Sequence, residues 1–482
     1  MLPAQSTDEF VPLGRSVLRI FSLPLTHVMN RTLVAACLLM TALLWSNSRI
    51  LAMRSNQNPD KPVVLSGYYV YHGMAAALED GRLGQLDLNR YRHYVALGNP
   101  NAVYKRFSDQ GSPEFVDYYT LDIGYSFIVE IARLAFPTLP DNHWRSIALQ
   151  LLVDVGLVVL VYTIFASWDI RLGALAALFY TGNKVFLYLA SFAYYYYWDV
   201  VLTLTVFALL LLTLRRAGPP AFLLGLTGFV LGFGVWMRAS WWPITCFLLA
   251  LMVLTPALRK QSIWCALIFG LVAAPQIYRS SRARGSLVLS TRASWHVALV
   301  GLGYYPNPYG LEANDEAVYR LTREKYGVPF RMDDYKEHDQ AVKKEFLSLL
   351  RKDPQFVLRS FRGRLWESLL GTTVTSMAPY PFLPNPVYRL VCLTGLVLMV
   401  LAGGERRWLG VAAAGTYLVY VLVTCLFYFV GLAYDNVSQV ALLVLFLGGL
   451  GSAPGAASRL ARRWRAARQG SDVPPAPAPA SG

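Results

Sequence analysis

Two side chains stand where chemistry is possible: Asp199, at the end of the aromatic run FAYYYYWDVV (192–201), and Arg238, at the end of the Gly-rich stretch GFGVWMRASWWP. A carboxylate at the head of an apolar helix accepts backbone N–H groups as a cap, and a helix N-terminus also holds a catalytic carboxylate ionised; both readings apply to Asp199. A guanidinium offers paired donors that stabilise charge developing on a phosphate. The alternative for Arg238 is an interfacial arginine reaching lipid headgroups, with Trp236, Trp241 and Trp242 as a lipid anchor around it. Asp154 in LQLLVDVGLVVL and Lys184 in YTGNKVFLYL interrupt apolar runs, so each is expected to face the bundle or a wet cavity. Lys184 is placed near the region of Asp199, as a lipid-phosphate contact or as the partner of an acid.

The elements that must position these residues are membrane helices. Of 482 residues 55% are hydrophobic and only 15% charged, more apolar surface than a soluble core can hide. Bilayer-length apolar segments fall at roughly 32–50, 146–166, 171–190, 200–214, 220–237, 243–258, 263–278, 386–402, 408–431 and 436–451. The expected fold is an all-α polytopic membrane protein with about ten transmembrane helices, nine to twelve depending on short segments such as 123–137. That segment carries Glu130 and Arg133 and reads equally well as an interfacial helix.

Lys and Arg in the short loops (Arg15, Arg19 and Arg31; Arg215 and Arg216; Arg259 and Lys260; Arg406 and Arg407; RLARRWRAAR at 459–468) fall on one side if 123–137 does not cross. The chain then divides into a cytoplasmic N-terminus (1–31), a transmembrane module (32–278) with an outer loop (51–145), a second outer segment (279–385), C-terminal helices (386–451) and a basic tail (452–482). Its Pro/Ala-rich end, PPAPAPASG, is expected to be disordered. The first span follows a polar lead and reads as a retained anchor. The tyrosines before Asp199 are expected in an aromatic belt at the outer interface. All five cysteines lie in apolar spans, so no disulfide framework is implied. The net charge of +15 serves topology and anionic lipid, not nucleic acid. In the first outer loop, SGYYVYHGMAAALEDG reads as a short helix against the membrane surface, stopped at Gly81.

In order, these parts resemble a GT-C glycosyltransferase, the membrane superfamily that includes protein O-mannosyltransferases and aminoarabinose transferases. The matching stretches are SGYYVYHGMAAALEDG, TLDIGYSFIVEIARLAF, Arg145 in NHWRSIALQ, Asp199 behind its aromatics, and Arg238 after a Gly-rich span. STRASWHVALVG, NPYGLEANDEAVYRL and AVKKEFLSLLRKDPQFVLRSF resemble the acceptor-side segment of bacterial relatives. The resemblance implies transfer of a sugar from a polyprenyl-phosphate donor to a lipid, glycan or protein acceptor, at the outer face of the cytoplasmic (inner) membrane.

The chain departs from the family at Ser66 and Gly67, where the family places its first-loop acid. The transfer needs a carboxylate to take a proton from the attacking hydroxyl. Asp122 and Asp60 rank first as that base, ahead of Glu79, Asp80 and Asp87. In the reaction the resemblance implies, Asp199 is expected to assist catalysis or bind metal, Arg238 and Lys184 to hold the donor phosphate, and Tyr68, Tyr69, Tyr304 and Tyr305 to line the substrate loops. His72, His93 and His143 show no metal-ligand spacing, and use of a divalent cation, Mg or Mn, is left open. The rival readings are a lipid-linked glycan polymerase or ligase of another fold, a lipid flippase or transporter, and a relative that binds a lipid-linked sugar without turnover.

Overall fold

A computed structural model of the chain describes residues 27–55, 66–98, 114–117, 122–140, 143–216, 221–260, 262–284, 287–289, 294–330, 335–372, 377–427 and 435–471. Within these the protein is helical except for one two-stranded ribbon. The order is α1 (His27–Ser55), α2 (Ser66–Glu79), β1 (Gln85–Asp87), α3 (Leu88–Gly98), β2 (Phe115–Asp117), α4 (Gly124–Ala135), α5 (His143–Ala166), α6 (Ile170–Gly182) and α7 (Lys184–Ala190). There follow α8 (Tyr196–Arg215), α9 (Ala221–Met237), α10 (Trp241–Leu254), α11 (Ser262–Arg284), α12 (Ser294–Leu302), α13 (Asp315–Tyr326), α14 (Tyr335–Lys352), α15 (Pro354–Leu370), α16 (Asn385–Ala402), α17 (Gly404–Phe427) and α18 (Asn436–Ser471).

Among the described residues six helices, α5, α8, α11, α16, α17 and α18, are long and apolar enough to cross a membrane, and the bent pair α6–α7 makes a seventh if counted as one span. Helices α9 and α10 are apolar but shorter. The segments read as spans are largely helical, and six or seven of the described helices have both the length and the composition of a crossing, against about ten expected. The α6–α7 pair turns by 59° at Asn183, whose side chain caps α7 by accepting from the Val185 and Phe186 N–H groups. At 12 residues, about 18 Å long, α4 is too short to cross a hydrocarbon core of about 30 Å.

Close helix contacts use glycine. A Cβ at Gly228 would strike the Cys265 carbonyl, and one at Gly395 the Leu445 carbonyl, so α9 lies against α11 and α16 against α18 at backbone distance. The first loop folds over one end of this bundle. There α2 packs on α4 and on β1, which pairs antiparallel with β2 (Leu86 opposite Val116). A second, small core of Leu299, Val300, Leu302, Val318, Val342, Leu349 and Phe356 unites α12 to α15. The Asp-Pro pair does what its types dictate: Asp353 accepts the Phe356 N–H as N-cap, and Pro354 starts α15 without needing a donor.

Two expectations are corrected here. The tyrosine run is interior, not an interfacial belt: Tyr194, Tyr195, Tyr197 and Trp198 are buried, with α2 folded over them and Tyr71 edge-on to Tyr194 and Tyr195. For the same reason α2 does not lie on a membrane surface; Tyr68, Val70, Tyr71, His72 and Met74 are all buried. The basic segment after 452 is helical as far as Ser471, as α18 continues through Pro454. The PPAPAPASG end lies outside the described residues.

Candidate functional site

The side chains that could do chemistry meet at the loop-rich end of the bundle, where α8, α10 and α18 begin and α9 ends. Asp199 sits in the first turn of α8. Its side chain does not cap that helix but turns inward, so the capping alternative fails. Asp199 Oδ2 accepts from Arg238 Nη1 at 3.0 Å and from Asn436 Nδ2 at 2.7 Å, and Oδ1 accepts from Trp241 Nε1 at 2.8 Å. Asp199 and Arg238 both have no solvent exposure.

Arg238 follows the last residue of α9, in the turn that leads to α10. Its Nη1 also donates to Tyr420 Oη on α17 at 2.9 Å, and the rings of Tyr195, Tyr196 and Tyr420 lie 5.4–6.0 Å from the guanidinium carbon, an aromatic box that favours a cation. Asn436 closes the ring of contacts, accepting from Tyr420 Oη at 2.6 Å and donating to the Tyr196 carbonyl at 3.0 Å.

Asp122 reaches the same turn from the other side. Its Oδ2 accepts the Ala239 N–H at 3.0 Å and its Oδ1 accepts from Gln276 Nε2 of α11 at 3.3 Å. Gly124 permits this approach, because a Cβ there would lie 2.6 Å from the Trp236 carbonyl carbon and 2.7 Å from the Met237 nitrogen. Two carboxylates and one guanidinium, from stretches far apart in sequence, thus bracket one turn between α9 and α10.

The other expected site residues are dispersed. Asp60 lies outside the described residues. Lys184 is exposed at the helix break, where its backbone N–H donates to the Pro379 carbonyl at 2.9 Å. It therefore differs in setting from the buried Arg238. Tyr68 is a packed interior residue, with Oη 3.2 Å from Ser146 Oγ and its ring against Tyr69, His72 and Tyr125. Tyr69 is half-buried beside it. Both belong to α2. Tyr304 and Tyr305 are pinned by hydroxyl bonds to Glu367 on α15, at 3.1 and 2.8 Å. Burial, then the Glu367 carboxylate, raises the Tyr305 hydroxyl above its usual pKa.

Among the remaining first-loop acids, Asp87 accepts the Arg90 N–H at the start of α3, Glu79 pairs with Arg133, and Asp80 is exposed. Arg145 braces the turn before α5 by donating to the Leu139 and Pro137 carbonyls. The three tryptophans read as a lipid anchor are hydrogen-bonded within the protein: Trp241 to Asp199, Trp236 to the Val272 carbonyl and Trp242 to the Leu289 carbonyl.

Sequence reasoning missed Asn436, Tyr420 and Gln276, and it left the partner of Asp154 unnamed. Asp154 binds Arg49 of α1 (Nη2 to Oδ2, 3.0 Å) and accepts from Trp45 Nε1, Tyr180 Oη and Tyr197 Oη at 2.7–2.8 Å. A third pair joins Arg389 to Asp435 at 3.2 Å, beside Asn436. No group of three or more His, Cys, Asp or Glu among the described residues is arranged to hold a metal ion. The hydrogen bonds given above to Asp122 and Asp199 come from N–H donors.

Comparison of the chain with models of known protein families, with curated proteins and with solved structures gave no match.

Proposed function

We propose that this chain is a membrane glycosyltransferase that moves a sugar from a polyprenyl-phosphate donor to a lipid, glycan or protein acceptor, working at the outer face of the cytoplasmic membrane. One observation carries the reading: Asp122, Asp199 and Arg238 converge on a single turn at the loop-rich end of an apolar helix bundle. In this reaction the acceptor hydroxyl oxygen bonds to the anomeric carbon and the bond from that carbon to the phosphate oxygen breaks. The electron pair leaves with the phosphate. Asp122 is assigned as the base that receives the hydroxyl proton. Arg238, oriented by Asp199 and Tyr420, is assigned to the charge gathering on the departing phosphate. All three groups are buried, so substrate entry requires the site to open.

The test is incubation of the protein in nanodiscs with a labelled polyprenyl-phosphate sugar, reading polyprenyl phosphate released and label transferred. Asp122→Asn keeps an acceptor for the Ala239 N–H and is expected to insert and fold while losing transfer by at least 100-fold. Undiminished transfer by this variant removes Asp122 as base, and absence of turnover by the native chain with a panel of such donors removes the enzyme reading.

A transporter is the second reading, favoured by the bent α6–α7 pair beside the Asp154–Arg49 pair, since broken helices and charges inside the bundle mark substrate paths. Movement of lipid-linked sugar across liposomes with no bond cleaved separates it from the first.

A further inference from the structure

We propose that α15 is a membrane-contacting helix whose exposed stripe, Leu358, Arg359, Arg362 and Trp366, binds the headgroups of anionic phospholipids. By chain order α15 belongs to the segment 279–385, which composition places in water. Its contacts place it elsewhere. The Leu369 carbonyl accepts from Tyr417 Oη at 2.9 Å, Arg389 Nη1 donates to the Ser368 carbonyl, and Cys425 Sγ lies 3.3 Å from Ser368 Oγ. Cys425 is two residues from the Phe427 end of α17, Arg389 is one turn from the Asn385 start of α16, and it pairs with Asp435 just before α18. Asn385 Nδ2 also donates to the Gly371 carbonyl that follows α15. The C-terminal end of α15 therefore lies level with the loop-rich ends of three helices long and apolar enough to cross the membrane, at the boundary of the apolar bundle.

The face turned to the bundle holds Phe356, Ser360, Arg364 and Ser368, all buried. On the opposite face Leu358 and Trp366 are each 63% exposed, and Arg359 and Arg362 are exposed beside them. Spacings of three and four residues put these side chains in one stripe. Along the helix axis Trp366 is at most about 4.5 Å from Leu369, and Arg362 at most about 10 Å. An indole near the hydrocarbon boundary with guanidinium groups nearer the surface is the order of a lipid interface.

Lipid is the occupant because the stripe continues an apolar exposed surface: Val387 and Leu390 on the first turns of α16 and Phe382 before it are 46%, 65% and 72% exposed. The two arginines select phosphate within that layer. The inference rests on the bundle being membrane-embedded and not on the transferase reading.

The test uses the full chain in nanodiscs with Cys37 and Cys246 replaced by alanine, and a fluorophore attached at Trp366→Cys or, as control, at exposed Gln340→Cys on α14. Brominated phospholipid is expected to quench the first label at least twofold more than the second, and iodide in the water to do the reverse. In unlabelled protein, Arg359→Glu with Arg362→Glu is expected to halve, at least, the rise in melting midpoint that phosphatidylglycerol gives over phosphatidylcholine. Equal iodide quenching of the two labels overturns the proposal. So does an unchanged lipid dependence of the double variant, and so does protection of the Trp366 label from both quenchers, which marks a protein on this face.

Discussion

Asp154 and Asp199 are both buried, both face an arginine, and each accepts from a tryptophan, yet the two sites are built differently. A carboxylate has about four lone-pair positions. Asp154 fills four with Trp45, Arg49, Tyr180 and Tyr197, all from apolar helices. Asp199 accepts three hydrogen bonds among the described residues, and its partners come from a helix start, a turn and a second helix start. The first arrangement is complete in itself and ties α1 to α5, α6 and α8. The second lies where loops enter, with another carboxylate across the turn. Saturation marks a joint; convergence of separate chain ends marks a place where something else can be admitted.

The widest separation between the sites comes from replacing each pair. Removing one member of a buried pair costs about 3–5 kcal/mol, because the survivor's charge is left uncompensated, whereas replacing both by apolar residues is close to neutral. Asp154→Ala is therefore expected to lower the unfolding midpoint sharply, and Arg49→Met with Asp154→Leu to restore it, with transfer activity intact. At the other site, Arg238→Met with Asp199→Leu is expected to recover thermal stability over Asp199→Leu alone but to leave transfer below detection. Recovery of both properties there would erase the distinction between joint and site.

A smaller effect is expected at Gly124. A valine there must push α4 off the end of α9, at a cost of about 1–3 kcal/mol, and should lower transfer because Asp122 is drawn away from the turn while the Asp154 joint is untouched. Thermal unfolding and the labelled-donor assay on one preparation read both quantities.

The smallest effect belongs to the helical segment α12–α15. His338 is buried between His296, 3.1 Å from its Nε2, and Thr322, 3.2 Å from its Nδ1. Burial, then the neighbouring imidazole, holds His338 down at about 3 against an ordinary 6.5. Unfolding thus takes up a proton that the folded state refuses. The stabilisation is complete above about pH 6.5 and is lost as pH falls from there toward 3, by on the order of 1 kcal/mol per unit. Melting midpoints between pH 8 and 5 should fall for the native chain and stay nearly flat for His338→Gln.

What could be read from residues alone follows the range of the interactions. Helix positions and the stop at Gly81 were legible because they depend on neighbours in sequence. Asp199 and Arg238 were legible as residues out of place in apolar surroundings, but their mutual contact spans 39 positions, and that with Asn436 spans 237. An asparagine at a helix start has no feature to announce so distant a partner. The tyrosine run was misplaced for a related reason: amphipathic rings at the end of a span suit an interface, and only the fold of α2 across them makes that end an interior. The partner of Asp154 was anticipated as a need, yet one arginine among the 44 Lys and Arg residues could not be singled out as Arg49.

Helix α18 begins at Asn436, which holds Asp199, and runs 36 residues, about 54 Å, to the arginine-rich stretch around Trp464. Such a length exceeds any bilayer, so one rod joins the carboxylate cluster to the opposite surface. Rods convey tilt: a lean of a few degrees at the arginine end, pivoting on the glycine seam with α16, swings the asparagine amide by ångströms relative to the carboxylate it grips.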